Sequence, residues 1–208
     1  EPWFGSGECF TNDEVTHSVN IGLAMSKKMY ATAGGTDAEA EFWLADIVAK
    51  ANLVFESQLN IVFTASVLHF SDGSDSWDNT ECTRYSRTNL QDTLMAFTSK
   101  QAINEAIWHL FDDCYSGTNE APAQSGLAFI GTLCQSYAVG MTHNLDRVDH
   151  VSGDTWAIFA HEIGHSLNAA HSFEEGEGKT GGIMDYGDGK LNGVYQFNSK
   201  YRKQQMCS

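Results

Sequence analysis

The sequence is poor in several features that mark common classes of protein. Its 208 residues include only 2 prolines, which argues against a disordered linker. It has 12 basic and 27 acidic residues, which give a formal net charge of −15. No apolar run approaches the roughly 18 residues that span a bilayer. No basic cluster is longer than 200–203, and an acidic surface repels nucleic acid. We therefore expect one globular domain with no membrane span and no nucleic-acid partner.

The cysteines lack the close spacing of a structural zinc site, because none forms a Cys-x-x-Cys pair. They are Cys9, Cys82, Cys114, Cys134 and Cys207. Wide spacing favours disulfides in a secreted protein, and the alternative is buried free thiols in a cytosolic one. The chain also begins without methionine, so we expect that a leader or an inhibitory pro-segment has been removed.

One short stretch, 161–171, carries the chemistry. On a helix, His161 and His165 lie one turn apart on the same face, where two imidazoles can hold one zinc ion at about 2.0–2.1 Å. Glu162 can then act as general base on a zinc-activated water. His171 can return to the metal only if the chain turns sharply after His165. Three protein ligands leave a fourth position open, which is typical of a catalytic zinc.

The order of predicted elements favours an α/β domain. Residue patterns predict strands at 18–25, 59–70, 126–134 and 137–141, and helices at 37–58, 89–97, 100–111, 153–167 and 199–206. Thr36 or Asp37 can cap the first of these helices, and Asp154 can cap the helix that carries the histidines. From residue 169 onward glycine and polar residues dominate, and we expect little regular structure.

The motif carries a family resemblance. Residues 161–171 resemble the long zinc signature of the metzincin metalloendopeptidases, and 182–186 resemble their Met-turn around Met184. Residues 159–165 and 126–134 are most similar to the adamalysin (reprolysin, ADAM) branch. The resemblance implies a zincin-like domain with a five-stranded mixed sheet, in which the rim strand is antiparallel. It places the active-site cleft between a large N-terminal lobe, 1–168, and a small irregular C-terminal lobe, 169–208.

The resemblance also implies an activity and a covalent framework. It implies a secreted zinc endopeptidase that cleaves internal peptide bonds of protein substrates, which bind in extended form along the rim strand. It implies a Cys134–Cys207 disulfide. Cys82 and Cys114 then flank a predicted helix and form the natural second pair, which leaves Cys9 over.

Five positions keep alternatives open. Asn168 stands where the family usually has glycine, and we expect a left-handed backbone there that ends the helix, which asparagine tolerates best after glycine. Ser172 replaces the usual acidic residue after the third histidine. Tyr186 follows Met184 by two residues, as in astacins, where it is a zinc ligand or transition-state donor; we favour an adamalysin-like arrangement in which it points away from the zinc. The alternatives are therefore an astacin-like or pappalysin-like protease, or a zinc-bound recognition module without catalysis. Asn20 and Asn104 stand where part of the family binds calcium, and calcium stays an open alternative because neutral amides bind it weakly.

Overall fold

The computed structural model describes residues 15–78, 87–98, 104–114, 124–144, 155–186, 195–198 and 200–206. The strands are β1 (His17–Met25), β2 (Ile61–Phe70), β3 (Ile107–Asp112), β4 (Gly126–Ala128) and β5 (Val139–His143). The helices are α1 (Lys27–Thr32), α2 (Asp37–Leu59), α3 (Arg87–Thr98), α4 (Thr155–Ser166) and α5 (Arg202–Met206). No helix in these ranges is long and apolar enough to cross a membrane.

The strands form one mixed sheet in the order β2-β1-β3-β5-β4. Every neighbouring pair is parallel except β4 and β5, which are antiparallel. This confirms the predicted α/β class, the number of strands and the direction of the rim strand. It also puts the short strand β4 at one edge of the sheet, beside α4.

The central strands are buried on both faces. Along β1, Ile21 and Leu23 point into a core shared with α2 and α4, whereas Ala24 points into a second core. Trp108 and Leu110 of β3 belong to that second core, which includes residues of α3. An added Cβ at Gly22 would lie 2.3 Å from the Trp108 indole, so glycine makes room for this ring. The sheet therefore has helices on both sides, as parallel sheets require.

Helix α2 begins and ends as its sequence predicts. Thr36 caps it: the Thr36 hydroxyl oxygen accepts the Glu39 N–H and donates to the Glu39 carboxylate at 2.8 Å. The helix ends at Asn60, whose backbone is left-handed with φ 56°. Near that end, the Gln58 side chain bonds both the N–H and the carbonyl of Phe197. This pairing ties Phe197, late in the sequence, to the end of α2.

Three sequence predictions of secondary structure are wrong. The predicted helix at 100–111 contains strand β3, because a strand buried on both faces has an unbroken apolar run instead of alternation. The rim strand ends at Ala128 instead of Cys134, since Gly131 and Cys134 have left-handed backbones with φ 68° and 60°. The strand predicted at 137–141 lies two residues later. Helix α1 was not predicted.

Candidate metal centre

Two of the predicted ligands are oriented by backbone carbonyls. His161 Nδ1 lies 2.6 Å from the Ile183 carbonyl, and His165 Nδ1 lies 2.7 Å from the Ala169 carbonyl. A carbonyl oxygen only accepts, so each Nδ1 carries the proton and donates it. Each Nε2 is then left with its lone pair, which is the arrangement that a metal-binding histidine needs.

The third histidine is brought back by a tight turn at the end of α4. Asn168 has φ 77°; its N–H donates to the His165 carbonyl, and the Ala169 N–H donates to that of Gly164. These two bonds form a Schellman motif, in which the left-handed residue ends the helix. The predicted positive φ at Asn168 is therefore confirmed. His171 consequently lies beside His165, with their Nε2 atoms 3.2 Å apart.

The three histidines form a cluster that fits zinc. Their ligand atoms all lie within 4.8 Å of one another, and they are the only group of this kind in the part of the chain that the structure describes. Two nitrogen ligands at 2.0–2.1 Å on a tetrahedral zinc are about 3.3 Å apart, which matches the His165–His171 separation.

Burial keeps the imidazoles neutral. It lowers the pKa of His161 to about 3 and that of His165 to about 4, and each ring is further disfavoured as a cation by a neighbouring histidine. The pKa of His171 is also lowered, first by burial and then by the Arg202 guanidinium. Neutral imidazoles are the form that binds a metal, so this site needs no proton release from these rings at neutral pH.

Glu162 is buried beside the cluster, on the side of the rim strand. Its side chain is 4% exposed, and its Oε2 atom has no hydrogen-bond partner among the described residues. Burial raises its pKa well above the usual value, and a nearby dication would act in the opposite direction. An added Cβ at Gly126 would lie 2.6 Å from Glu162 Oε1, so only glycine leaves space for this carboxyl group.

Met184 packs beneath the ligand-bearing helix. It is fully buried, and an added Cβ at Gly164 would lie 2.5 Å from its sulfur. The next residue, Asp185, accepts the backbone N–H groups of Gly178 and Gly181 at 2.7 Å and of Tyr186 at 2.8 Å. The Ser172 N–H donates to the Met184 carbonyl at 2.8 Å. The turn around Met184 is thus joined directly to the segment that carries His171.

Comparison with known families decides the relationship. The reprolysin model of metallo-peptidase family M12 matches residues 15–201. The chain belongs to this family. As an M12 metallopeptidase it is 29% identical over 163 residues to a disintegrin and metalloproteinase domain-containing protein B of Aspergillus fumigatus, a match that covers 73% of this chain and 20% of the relative. The protein of the same name from Trichophyton verrucosum is 25% identical over 168 residues and is also covered to 20%.

Solved structures are more distant. A chain in a structure described as a chaperone–substrate complex superposes with a TM-score of 0.51 at 14% identity, over 75% of this chain and 24% of that one. Archaemetzincin from Methanopyrus kandleri superposes with a TM-score of 0.46 at 13% identity, over 86% of each chain. The chain spans about one fifth of the length of the curated M12 relatives above, so whole-protein properties do not transfer from them.

Tyr186 of this M12 domain, which we expected to point away from the zinc, has its ring beside the histidine cluster. Its ring centre lies 5.0 Å from that of His171, 6.3 Å from that of His161 and 5.0 Å from that of Phe173. Phe173 in turn stacks on His171 at 4.9 Å. Tyr186 is 52% exposed, so its ring covers one side of the histidine cluster while remaining open to solvent.

The cysteines depart from the predicted pairing. Cys134 is an exposed free thiol, so the Cys134–Cys207 disulfide is not formed in this structure. The physical reason is that Cys134 lies in a turn beyond the rim strand, where its N–H donates to the Ala106 carbonyl. Cys114 is disulfide-bonded. Cys9, Cys82 and Cys207 lie outside the described residues, as do Asp154 and the segment just after Tyr186.

Sequence reasoning missed two residues that shape this M12 site. Gly126 was predicted only as the start of a strand, because the sequence Gly-Leu-Ala gives no sign that Glu162 packs against it. Arg202 was assigned to a short basic segment, yet it is 3% exposed and contacts the segment that carries His171. A basic residue in a short amphipathic helix carries no local signal of such burial.

Proposed function

We propose that this chain is a zinc-dependent endopeptidase that hydrolyses internal peptide bonds of protein substrates. The observation that carries the proposal is Glu162, which follows His161 in α4 and whose buried Oε2 has no hydrogen-bond partner among the described residues, together with the three converging imidazoles. Zinc binding alone does not need this carboxylate. Its retention therefore argues against a recognition module without catalysis.

Each residue of the cluster has a defined task. His161, His165 and His171 would hold the zinc ion, which lowers the pKa of a water molecule to about 7 and polarises a carbonyl group. Glu162 takes a proton from the attacking water and passes it to the leaving nitrogen. Met184 supports α4 from below, so that His161 and His165 keep their orientation.

The rim strand is the proposed substrate-binding edge. Strand β4 is the outermost strand next to β5, and Gly126 at its start contacts the space occupied by Glu162. A peptide that adds to this edge in extended form would run past the general base. Residues 1–168 and 169–208 would then form the two lobes of one catalytic domain. The disulfide at Cys114 supports an oxidising, extracellular compartment for it.

Cleavage of casein with and without a chelator tests the proposal. We expect cleavage at internal bonds, its loss with 1,10-phenanthroline, and its recovery with zinc at one metal ion per chain. A protein that binds zinc and leaves casein and a diverse peptide library intact would instead be a recognition module.

The position of Tyr186 supports a second role within the same chemistry. Its ring lies beside His161 and His171, so we add it to the proposal as a donor to the developing oxyanion. Such a donor contributes roughly 10²–10³ in kcat. Tyr186→Phe removes only the hydroxyl, and a loss of that size with unchanged zinc affinity would favour the astacin-like alternative. An unchanged kcat would leave Tyr186 as a packing residue of an adamalysin-like site.

A further inference from the structure

The segment that carries His171 has no regular secondary structure. It runs from Leu167 to Tyr186 as turns and bends, yet Ser172 within it is fully buried. His161 and His165 are fixed by a helix that packs on the sheet, whereas His171 has no such support. Besides the bond from the Ser172 N–H to the Met184 carbonyl, side-chain contacts therefore set its position.

Arg202 of α5 supplies these contacts. Its Nε donates to the Ser172 hydroxyl oxygen at 2.9 Å, and its guanidinium forms an ion pair with Glu174. A third bond runs from its Nη1 to Gln205 Oε1 at 2.7 Å. The same Gln205 oxygen accepts the Ala170 N–H at 3.1 Å. The guanidinium is buried, and it bonds the stretch 170–174 directly at Ser172 and Glu174 and indirectly, through Gln205, at Ala170.

These anchors lie on both sides of the third ligand. Ala170 precedes His171, Ser172 follows it directly, and Glu174 comes two residues later. A planar guanidinium holds several acceptors in a fixed geometry, which a flexible ammonium does not. In addition, Ser172 stands where the family usually has an acidic residue, and its hydroxyl receives the Arg202 bond.

We propose that Arg202 is a positioning residue for the metal site: it fixes residues 170–174 so that His171 Nε2 meets the other two ligands. This inference rests on the proposed zinc site. Changes in the groups that orient metal ligands typically alter metal affinity by about 10–100-fold. Arg202 should therefore act on zinc affinity and coordination geometry as well as on folding.

The test measures zinc affinity by competition with a chromophoric chelator and records the visible spectrum of the cobalt-loaded protein. Arg202→Gln should weaken zinc binding about 10–100-fold and change the cobalt spectrum. Arg202→Lys keeps the charge but loses the planar guanidinium that holds several acceptors at once. Relative to Arg202→Gln, it should recover part of the zinc affinity. Ser172→Ala removes a single anchor and should weaken binding about fivefold, as for one hydrogen bond. Lys203→Gln is the matched control, because it makes the same charge change at the next position.

Each outcome distinguishes a role of Arg202 in positioning His171 from a role in folding stability alone. Weaker zinc binding and an altered cobalt spectrum in Arg202→Gln, with the metal-free protein still folded by circular dichroism, would support the inference. A lower melting temperature with unchanged affinity and spectrum would overturn it. If Arg202→Gln does not fold, Arg202→Lys and Ser172→Ala decide, and wild-type affinity in both overturns it. A wild-type protein that binds no zinc removes this inference together with the proposed function, whereas normal zinc binding without cleavage removes only the latter.

Discussion

The two halves of the histidine cluster are built in different ways. His161 and His165 are on α4, which packs on the sheet through fully buried residues such as Phe159 and Ile163. His171 is on a segment without regular structure, which hydrogen bonds from Arg202 and Gln205 hold in place. The first half depends on helix periodicity and apolar packing. The second depends on a few polar contacts between residues far apart in sequence.

Because of this difference, the two halves should respond differently to substitutions. Apolar packing is spread over many atoms, so each single contact contributes only a small part of what holds α4. A polar anchor is specific, and its loss releases the segment that it holds. The variants below disturb one half or the joint between them, so that zinc affinity, turnover and stability can be compared.

Glu162→Gln should have the largest effect, because it removes the general base and leaves both halves of the cluster in place. Loss of a positioned base costs about 10²–10⁴-fold in turnover. Zinc stoichiometry, measured by atomic absorption on the same sample, should remain at the wild-type value. Turnover within a few fold of wild type would exclude Glu162 as the base.

Gly126→Ala should disturb the helical half alone. The new methyl group would lie 2.6 Å from Glu162 Oε1 and 2.8 Å from the Met141 carbonyl, so the carboxyl group must move. A displacement of about 1 Å at a reacting group can cost about 100-fold in kcat. Gly35→Ala is the control for a general loss of stability: alanine strains its left-handed backbone (φ 79°), but the added Cβ meets nothing within 4 Å and does not touch Glu162. Equal kcat losses in both variants would contradict the assignment.

Asn168 lies at the joint between the halves. Asn168→Gly should be neutral or slightly stabilising, whereas Asn168→Val should lower the free energy of unfolding by about 1–2 kcal/mol, because a β-branched residue clashes at φ 77°. Asn60→Val is a matched control, since Asn60 ends α2 with φ 56° away from the metal cluster. Both Val variants should lose stability in urea titrations. Only Asn168→Val should also lose zinc affinity, and an equal loss in both would refute this role.

The smallest expected effect comes from the sheet beneath α4. Burial lowers the pKa of His109 to about 3, and its ring packs against Phe159 at 4.8 Å. The unfolded chain takes up this proton near pH 6.5, so stability is present above that pH and is lost as pH falls toward 3. His109 should thus contribute a loss of about 0.8 kcal/mol between pH 7.5 and pH 6.

Urea titrations at both pH values measure this contribution. Between pH 7.5 and pH 6, His109→Gln should lose about 0.8 kcal/mol less of its free energy of unfolding than the wild type loses, whatever its absolute stability. If wild type and His109→Gln lose equal stability on acidification, His109 is not the proton acceptor in unfolding.

The same contrast explains how much of the structure could be predicted. The spacing of His161 and His165 predicts their common helix face, because the information is local. Asn168 could be predicted as the helix end, since few residues other than glycine accept a left-handed backbone. Strand β3 could not, because a strand buried on both faces lacks alternation and follows a stretch rich in helix-forming residues.

Contacts between residues that are far apart in sequence could not be predicted. Nothing near Arg202 indicates that it is buried against Ser172, and nothing near Gly126 indicates that Glu162 needs its space. The end of the rim strand was also missed. There the Gly131 and Leu133 N–H groups donate to the last carbonyls of α4, those of His165 and Ser166, which is a tertiary reason for the chain to leave the sheet.

The pairing of Gln58 with Phe197 has a consequence for biosynthesis. His161 is oriented by the Ile183 carbonyl, the Ile183 N–H donates to the Gln196 carbonyl, and Phe197 is held by Gln58. A nascent chain that ends before residue 196 can form α4 but lacks the partner that fixes Ile183. The orientation of the first ligand is therefore completed only after residues 196 and 197 have been synthesised, which delays the appearance of a competent metal site beyond the synthesis of its three histidines.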